Sequence, residues 1–586
     1  MIVTRGMPPS SIPAVAHLSV LGLIAGLILL PACSGEVTPP AKTDTSPSEG
    51  EPSKRDAGNK DAGKDAGKDA GKRDARVDPD DDDDEQQTSD DETDDVPVKD
   101  AGGGRVPDAG PAAAPDAGKT NGGACPGGEA PLATGLKVRE LSVYQTVKVQ
   151  LYKGGTWSTT SPVPIVAGKK TLLRVFVDTL PGYNKHAVRA VLKLEGAAGE
   201  MSQEDERTLG AASTDADAAS TFSFEIDAAK IAADTKLSVT LQETDCGATG
   251  GMANDVRVPT TGSQALGAQA IGKLKVVVVP IDVAGRLPKT DEAELTKIKN
   301  ALLAYYPVAA VDLTVRATPV KVTSAVAGTD SRTWTNTLNA VMRERSTDRA
   351  ASDVYYFGLM QPAATMQAYC GRGCILGIAP QTTRVSPGSQ AGLAASFADE
   401  QTYETIVHEL GHAHGRGHAP CVRGGGIEGV DPNFPDKMGG VGDWGWDSRT
   451  NKLISPMTYK DVMGYCSPNW ISAYTYTALA TRSKAVNTLA FIHAPLDAVT
   501  WRNVLLYDDG TARWGGASET TTPGGEFEPA TVLDAAGQKV ADIEVIRLEL
   551  SHSADQILYV PSPGALWDSV VVGGKTIKLG EVLPAE

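Results

Sequence analysis

The sequence predicts an α/β unit flanked on both sides by β-rich units. Three observations predict it. Between 125 and 262, short runs of alternating apolar and polar residues are separated by Gly and Pro. Between 270 and 485, continuous β-rich runs alternate with apolar residues at helical spacing, and after 486 the period-two pattern returns. At 586 residues the chain is also longer than one hydrophobic core serves, which favours several units.

Two segments precede these units. Arg5 is followed by an apolar run from Val15 to Leu30 and then by Leu30-Pro31-Ala32-Cys33-Ser34. Residues 1–33 read as a bacterial export signal with Cys33 lipidated, which anchors the chain in a membrane of the cell envelope, at the outer membrane or cell surface. The alternative is an uncleaved membrane helix, because the run approaches the ~18 apolar residues that spanning needs. Both readings export the chain. Residues 34–124 repeat Asp-Ala-Gly-Lys near 61–72 and carry an acidic block from Asp80 to Glu85. Large apolar residues are too sparse there to build a core, so a disordered acidic tether is expected. It holds 24 Asp and Glu against 12 Lys and Arg, a net −12 of the chain's −18. The remainder is mildly acidic and lacks the basic footprint that nucleic acid requires as a partner.

In the first folded unit, 125–262, the runs 136–144, 147–152, 170–177 and 187–194 alternate like strands of a β-sandwich. In the second, 270–485, the run 275–283 is a strand, and 291–305 carries Leu295, Ile298, Leu302 and Tyr305 on one helical face. Strands are expected at 311–317 and 354–360, with a helix through Trp334, Leu338, Val341 and Met342 between them. The last unit, 486–586, offers strands at 504–507, 543–550 and 570–579, with a turn at Asp508-Asp509-Gly510.

Four of the eight histidines fall within eleven residues, His408-Glu409-Leu410-Gly411-His412-Ala413-His414-Gly415-Arg416-Gly417-His418. Four residues turn a helix by ~400°, so His408 and His412 lie ~40° apart on one face and ~6 Å apart along the axis. Both imidazoles can then reach one metal ion. Tyr403, Ile406, Val407 and Leu410 form an apolar stripe that buries the other face. A continuing helix would carry His418 away, so the chain must turn, and Gly415 can adopt the positive φ that ends a helix. Three neutral histidines leave a tetrahedral metal one open position, and Glu409 stands beside the first ligand.

These eleven residues match H-E-x-x-H-x-x-G-x-x-H, and Met463 follows in Asp461-Val462-Met463-Gly464-Tyr465, 45 residues after His418. In both features the chain resembles the metzincins, the clan of astacins, adamalysins, matrixins and serralysins. The resemblance implies a metzincin-like catalytic domain over 270–485, a mixed twisted sheet with an active-site helix. It implies one catalytic zinc on His408, His412 and His418, Met463 as the Met-turn beneath it, and Tyr465 close to it. Zinc-activated water would attack the carbonyl, with Glu409 as general base and then acid, and Tyr465 would help to stabilise the oxyanion. The implied substrate is an extracellular protein or glycoprotein. The stretches Trp444-Gly445-Trp446-Asp447 and 465–472 look like those of bacterial secreted metzincins, and no cysteine-switch segment is present.

The other chemistry-bearing residues carry weaker expectations. Setting Cys33 aside leaves six cysteines, which would pair in an oxidising compartment. Cys125 with Cys246, Cys370 with Cys374 and Cys421 with Cys466 are favoured because each pair falls within one unit. Asp431, Asp436, Asp443 and Asp447, with Asn433, could hold calcium, although their spacing is not that of an EF-hand and a solvated loop is favoured. His414 is expected to be an exposed polar residue, and His493 and His552 stand alone as structural or solvated side chains. Residues 375–379 could form an edge strand that aligns an extended peptide, or an ordinary sheet strand. The rival to a peptidase is a surface adhesin or glycan-binding lipoprotein whose metal site is incidental, but a binding protein has no chemical need for Glu409.

Overall fold

The computed structural model describes residues 125, 128–158, 160–371, 373–421, 429–489, 499–520, 523–561 and 567–578, all within the second of two units, Gly103–Glu586. The export signal, Cys33, the acidic tether and His493 lie outside the described residues. Among the described residues no helix is long and apolar enough to cross a membrane.

Alternation in the first part produces two antiparallel sheets. One runs in the order Thr156–Trp157, Lys148–Lys153, Leu136–Tyr144, Thr171–Thr179, Phe222–Ile226. The other runs Arg257–Val258, Lys236–Glu243, Ala187–Glu195, Met201–Thr208. Leu141, Val143, Leu173 and Val175 of the first share a buried core with Ala190, Leu192, Val239 and Leu241 of the second. The strand Met201–Thr208 ends its sheet with Glu204, Asp205, Glu206 and Arg207, charges that discourage pairing with another chain.

The next sheet is parallel in five strands, ordered Ala310–Val315, Lys273–Val283, Val354–Met360, Ala391–Ala395 with Val320–Val322 also on Lys273–Val283, and closes with the antiparallel edge Gly377–Ile378. Near-continuous apolar strands suit a sheet covered on both faces. Three of the long helices begin where a carboxylate can take an orphan N–H: Asp291 caps Glu292–Tyr305 at Glu294 N, Asp330 caps Ser331–Thr347 at Thr333 N, and Asp399 caps Glu400–Ala413 at Thr402 N.

The last sheet is antiparallel, ordered Ala512–Thr520, Val499–Leu506, Gln556–Pro561, Lys539–Leu550, Glu526–Leu533, Ser569–Val572, Lys575–Lys578. The single strand expected at 570–579 is instead a hairpin, because Gly573 and Gly574 both take positive φ and reverse the chain. This sheet is bonded to the α/β part: Pro380–Gln381 pairs antiparallel with Lys539–Leu550, placing Pro380 opposite Leu550. Ile281, Trp334 and Leu338 share a buried core with Leu505, Ile546 and Leu548. Among the described residues strands outnumber helices, so the fold is sheet-rich.

Candidate metal centre

The helix Glu400–Ala413 buries nearly its whole length, His408, Glu409 and His412 included. His408 Nδ1 lies 2.7 Å from Val462 O, and His412 Nδ1 lies 2.7 Å from Arg416 O. A carbonyl only accepts, so each Nδ1 carries the hydrogen and each Nε2 presents a lone pair. At Gly415 the chain leaves the helix with φ +83°, and a Cβ there would stand 2.9 Å from Thr382 O. His418 is then fixed by its backbone, which donates to Gly429 O and accepts from Asp431 N, both at 2.9 Å.

The three Nε2 atoms converge. His412 Nε2 lies 3.0 Å from His408 Nε2 and 3.1 Å from His418 Nε2. Metal–nitrogen bonds of ~2.0–2.1 Å in tetrahedral geometry put ligand nitrogens about 3.3 Å apart, close to these spacings. Burial pushes the His408 imidazole down to about 3 and holds His412 well below its ordinary value, which keeps both in the neutral, ligating form. Inward lone pairs on buried neutral rings repel one another unless a cation lies among them, so this donor set fits a metal ion.

A fourth histidine joins the group. His552, expected to stand alone, sits in the turn after Lys539–Leu550 with Nε2 3.2 Å from His408 Nε2 and 3.0 Å from Glu409 Oε1. Among the described residues these four histidines are the one metal-competent group, their ligating atoms all within 4.8 Å of one another. Nothing in the spacing of His552 marks it, since it lies 134 residues after His418. Its signal in the sequence is scarcity, because in a chain with eight histidines each one outside the motif carries information.

Around the ligands the packing is specific. Ser551 Oγ donates to Glu409 Oε2 at 2.8 Å, and Ser551 is tied to Ala379 by two backbone-directed bonds. Gly377 on the edge strand makes room for Glu409, whose Cγ and Oε1 would lie 2.4 Å from a Cβ there. Met463 is buried beneath the helix with Sδ 2.4 Å from where a Cβ on Gly411 would be. Buried Asp461 shapes that turn by accepting from Met463 N at 2.9 Å and Ser472 N at 2.8 Å. Tyr465 is 44% exposed, and its hydroxyl lies 3.3 Å from His418 Nε2 and 2.7 Å from His552 Nδ1. Gly377 and Ser551 lie outside both motif segments, and Gly411 and Asp461 lie within them without a role that the spacing assigns; all four act through contacts across the fold.

The remaining candidates divide. All three cysteine pairs, Cys125–Cys246, Cys370–Cys374 and Cys421–Cys466, are disulfides. Cys421–Cys466 joins the segment after His418 to the Met463 turn. His414 is buried rather than exposed: its Nδ1 lies 2.7 Å from Leu410 O and its ring stacks on Tyr355 at 4.6 Å. Among the described residues the four aspartates are not brought together as a metal-competent group. Asp431 accepts from Arg416 and Tyr474, Asp436 from Met438 N and Gly440 N, Asp443 from Trp444 N, and Asp447 from Arg449. Asn433 meets Asp431 only through its own backbone N–H. Of the expected edge strand, Gly377–Ile378 is extended and pairs with Ala391–Ala395 at the sheet margin. It borders a cleft of about 480 Å³ lined also by His408, Glu409, Tyr465 and His552.

Residues 335–474 match the Peptidase M66 family. The M66 match begins within Ser331–Thr347 and ends as Ala473–Leu489 starts, so it takes in the metal-binding helix, His418 and the Met463 turn. It supports a peptidase. His552 lies beyond the matched M66 segment. No curated protein matches the chain.

Proposed function

We propose that this protein is a zinc-dependent endopeptidase of the metzincin type, anchored at the bacterial cell envelope through Cys33, that cleaves extracellular proteins or glycoproteins. The observation that carries the reading is the convergence of three inward Nε2 atoms beside the Glu409 carboxylate, on a cleft bordered by an edge strand. The M66 match and the metzincin motif support it from the sequence side. Three disulfides support an oxidising compartment.

His408, His412 and His418 would hold the ion, and imidazole ligands suit zinc. When bound, zinc supplies Lewis acidity that acidifies water and polarises a carbonyl. Glu409 takes the proton from the attacking water and returns it to the leaving amine; the Ser551 hydrogen bond to Oε2 sets the plane of that carboxylate. Gly377–Ile378 aligns an extended peptide by backbone pairing. The Tyr465 hydroxyl, exposed on the cleft, donates to the carbonyl oxygen as it gains charge.

The test is cleavage of a quenched mixed peptide library by the full chain, with Glu409→Gln and a chelator as controls. Turnover that disappears in both controls is expected. Turnover that survives Glu409→Gln refutes the mechanism. The anchor is tested separately: Cys33→Ser should move the protein from the membrane fraction to the soluble one.

A further inference from the structure

We infer that His552 is a fourth protein ligand of the metal, supplied by the C-terminal sheet, so that the resting site is closed by four histidines until substrate displaces it. The inference rests on the proposed metal centre and extends it to how that centre is gated.

Three features of the turn carry the argument. First, His552 Nε2 is 3.2 Å from His408 Nε2, close to the 3.0 and 3.1 Å that relate His412 Nε2 to its two partners. Second, its ring is oriented as the other ligands are. His408 and His412 turn Nδ1 outward to an oxygen and Nε2 inward, and His552 likewise turns Nδ1 to Tyr465 Oη at 2.7 Å and Nε2 to the cluster. An outward hydrogen bond that fixes the ring is the usual companion of a ligating imidazole. Third, the turn is held in place. His552 takes φ +55°, and Ser551 before it is buried, bonded to Ala379 on one side and to Glu409 on the other. Antiparallel pairing of Pro380–Gln381 with Lys539–Leu550 carries the same connection back into the sheet.

A hydrolytic site needs an open coordination position, and four protein ligands make a closed one. Substrate entering the cleft therefore has to replace the His552 imidazole. The His552 side chain keeps 17% exposure while Ser551 N before it donates to Ala379 O, so the ring would swing out with the turn held in place.

The test compares the wild type with His552→Ala and His552→Gln. Zinc affinity is measured by chelator competition, and the visible spectrum is recorded after cobalt substitution. The expected result is one zinc per chain in all three, with affinity reduced at least ~10-fold in both variants, since even an outer partner of a ligand is worth that much. The cobalt spectrum should change from that of a four-nitrogen site to one with a solvent ligand. Unchanged affinity and spectrum in a folded variant overturn the inference and make His552 a hydrogen-bond partner of Glu409, leaving the three-histidine centre intact. If neither variant folds, the number of imidazoles around zinc in the wild type, read by X-ray absorption, decides: four supports the inference and three overturns it. Failure of the wild type to bind zinc at all would remove the metal centre itself.

Discussion

Replacing Gly377 by Ala adds one methyl group at the point where the edge strand meets the helix. The added Cβ would fall 2.4 Å from both Cγ and Oε1 of Glu409 and 2.6 Å from its Cδ. Carbon atoms settle at ~3.5–4.0 Å, so the overlap is about 1 Å or more and something must move. The carboxylate has little room to retreat, since Oε2 accepts from Ser551 and Oε1 lies 3.0 Å from His552 Nε2. Gly377 does not have positive φ, so any strain from Ala comes from this contact and not from the backbone. On the proposed mechanism, displacing Glu409 costs what a general base contributes, ~10²–10⁴ in turnover. Overpacking should cost about 1–3 kcal/mol of stability. Turnover of a peptide library, zinc content and thermal unfolding are read on the same preparation, and the expected pattern is lost turnover with zinc retained. Wild-type turnover together with an unchanged melting temperature would refute the tight seating of Glu409 against the strand.

Gly411→Ala puts a Cβ 2.4 Å from Met463 Sδ and should destabilise by about 1–3 kcal/mol, although Ala is normally the better helix former; Met463→Ala in the same chain should recover part of the loss, as denaturant unfolding will show. Replacing Cys421 and Cys466 together by Ser opens a loop with a sequence separation of 45, worth about 4 kcal/mol in the chain-entropy model. An unchanged unfolding midpoint would mean that the backbone bonds Ala419 N to Met463 O and Tyr465 N to Cys421 O suffice. Burial pushes the Lys169 ammonium, which donates to Tyr306 O, down to about 7. Its unfolded value is ~10.4, so between those values the unfolded chain binds more protons and stability should rise with pH. Lys169→Met should flatten that dependence, and an unaltered slope in denaturation from pH 7 to pH 10 would refute it.

What the sequence determined by itself is mostly local. Period-two alternation located Leu136–Tyr144 to the residue, and a short continuous apolar run located Val354–Met360, because a strand shows in its own residues whether one face or both are buried, whatever it pairs with. Helical spacing put His408 and His412 on one face, since i and i+4 are neighbours on any helix. Gly415 announced the turn that returns His418, and cysteines counted unit by unit pointed to the three disulfides. The strand at 570–579 was misread because its apolar residues continue through the Gly573-Gly574 reversal. Burial of His414 against Tyr355 was also hidden, because His414 ends a helix and its partner lies 59 residues away on a strand. Tertiary structure alone decided which distant residues meet at the metal centre. Ser551 and His552 reach Glu409 because Pro380–Gln381 pairs with Lys539–Leu550, and Gly377 leaves space for that same carboxylate. Periodicity records which side of an element is buried, but not what covers it, and at this centre the covering residues come from 87 to 144 positions farther along the chain or from the strand before the helix.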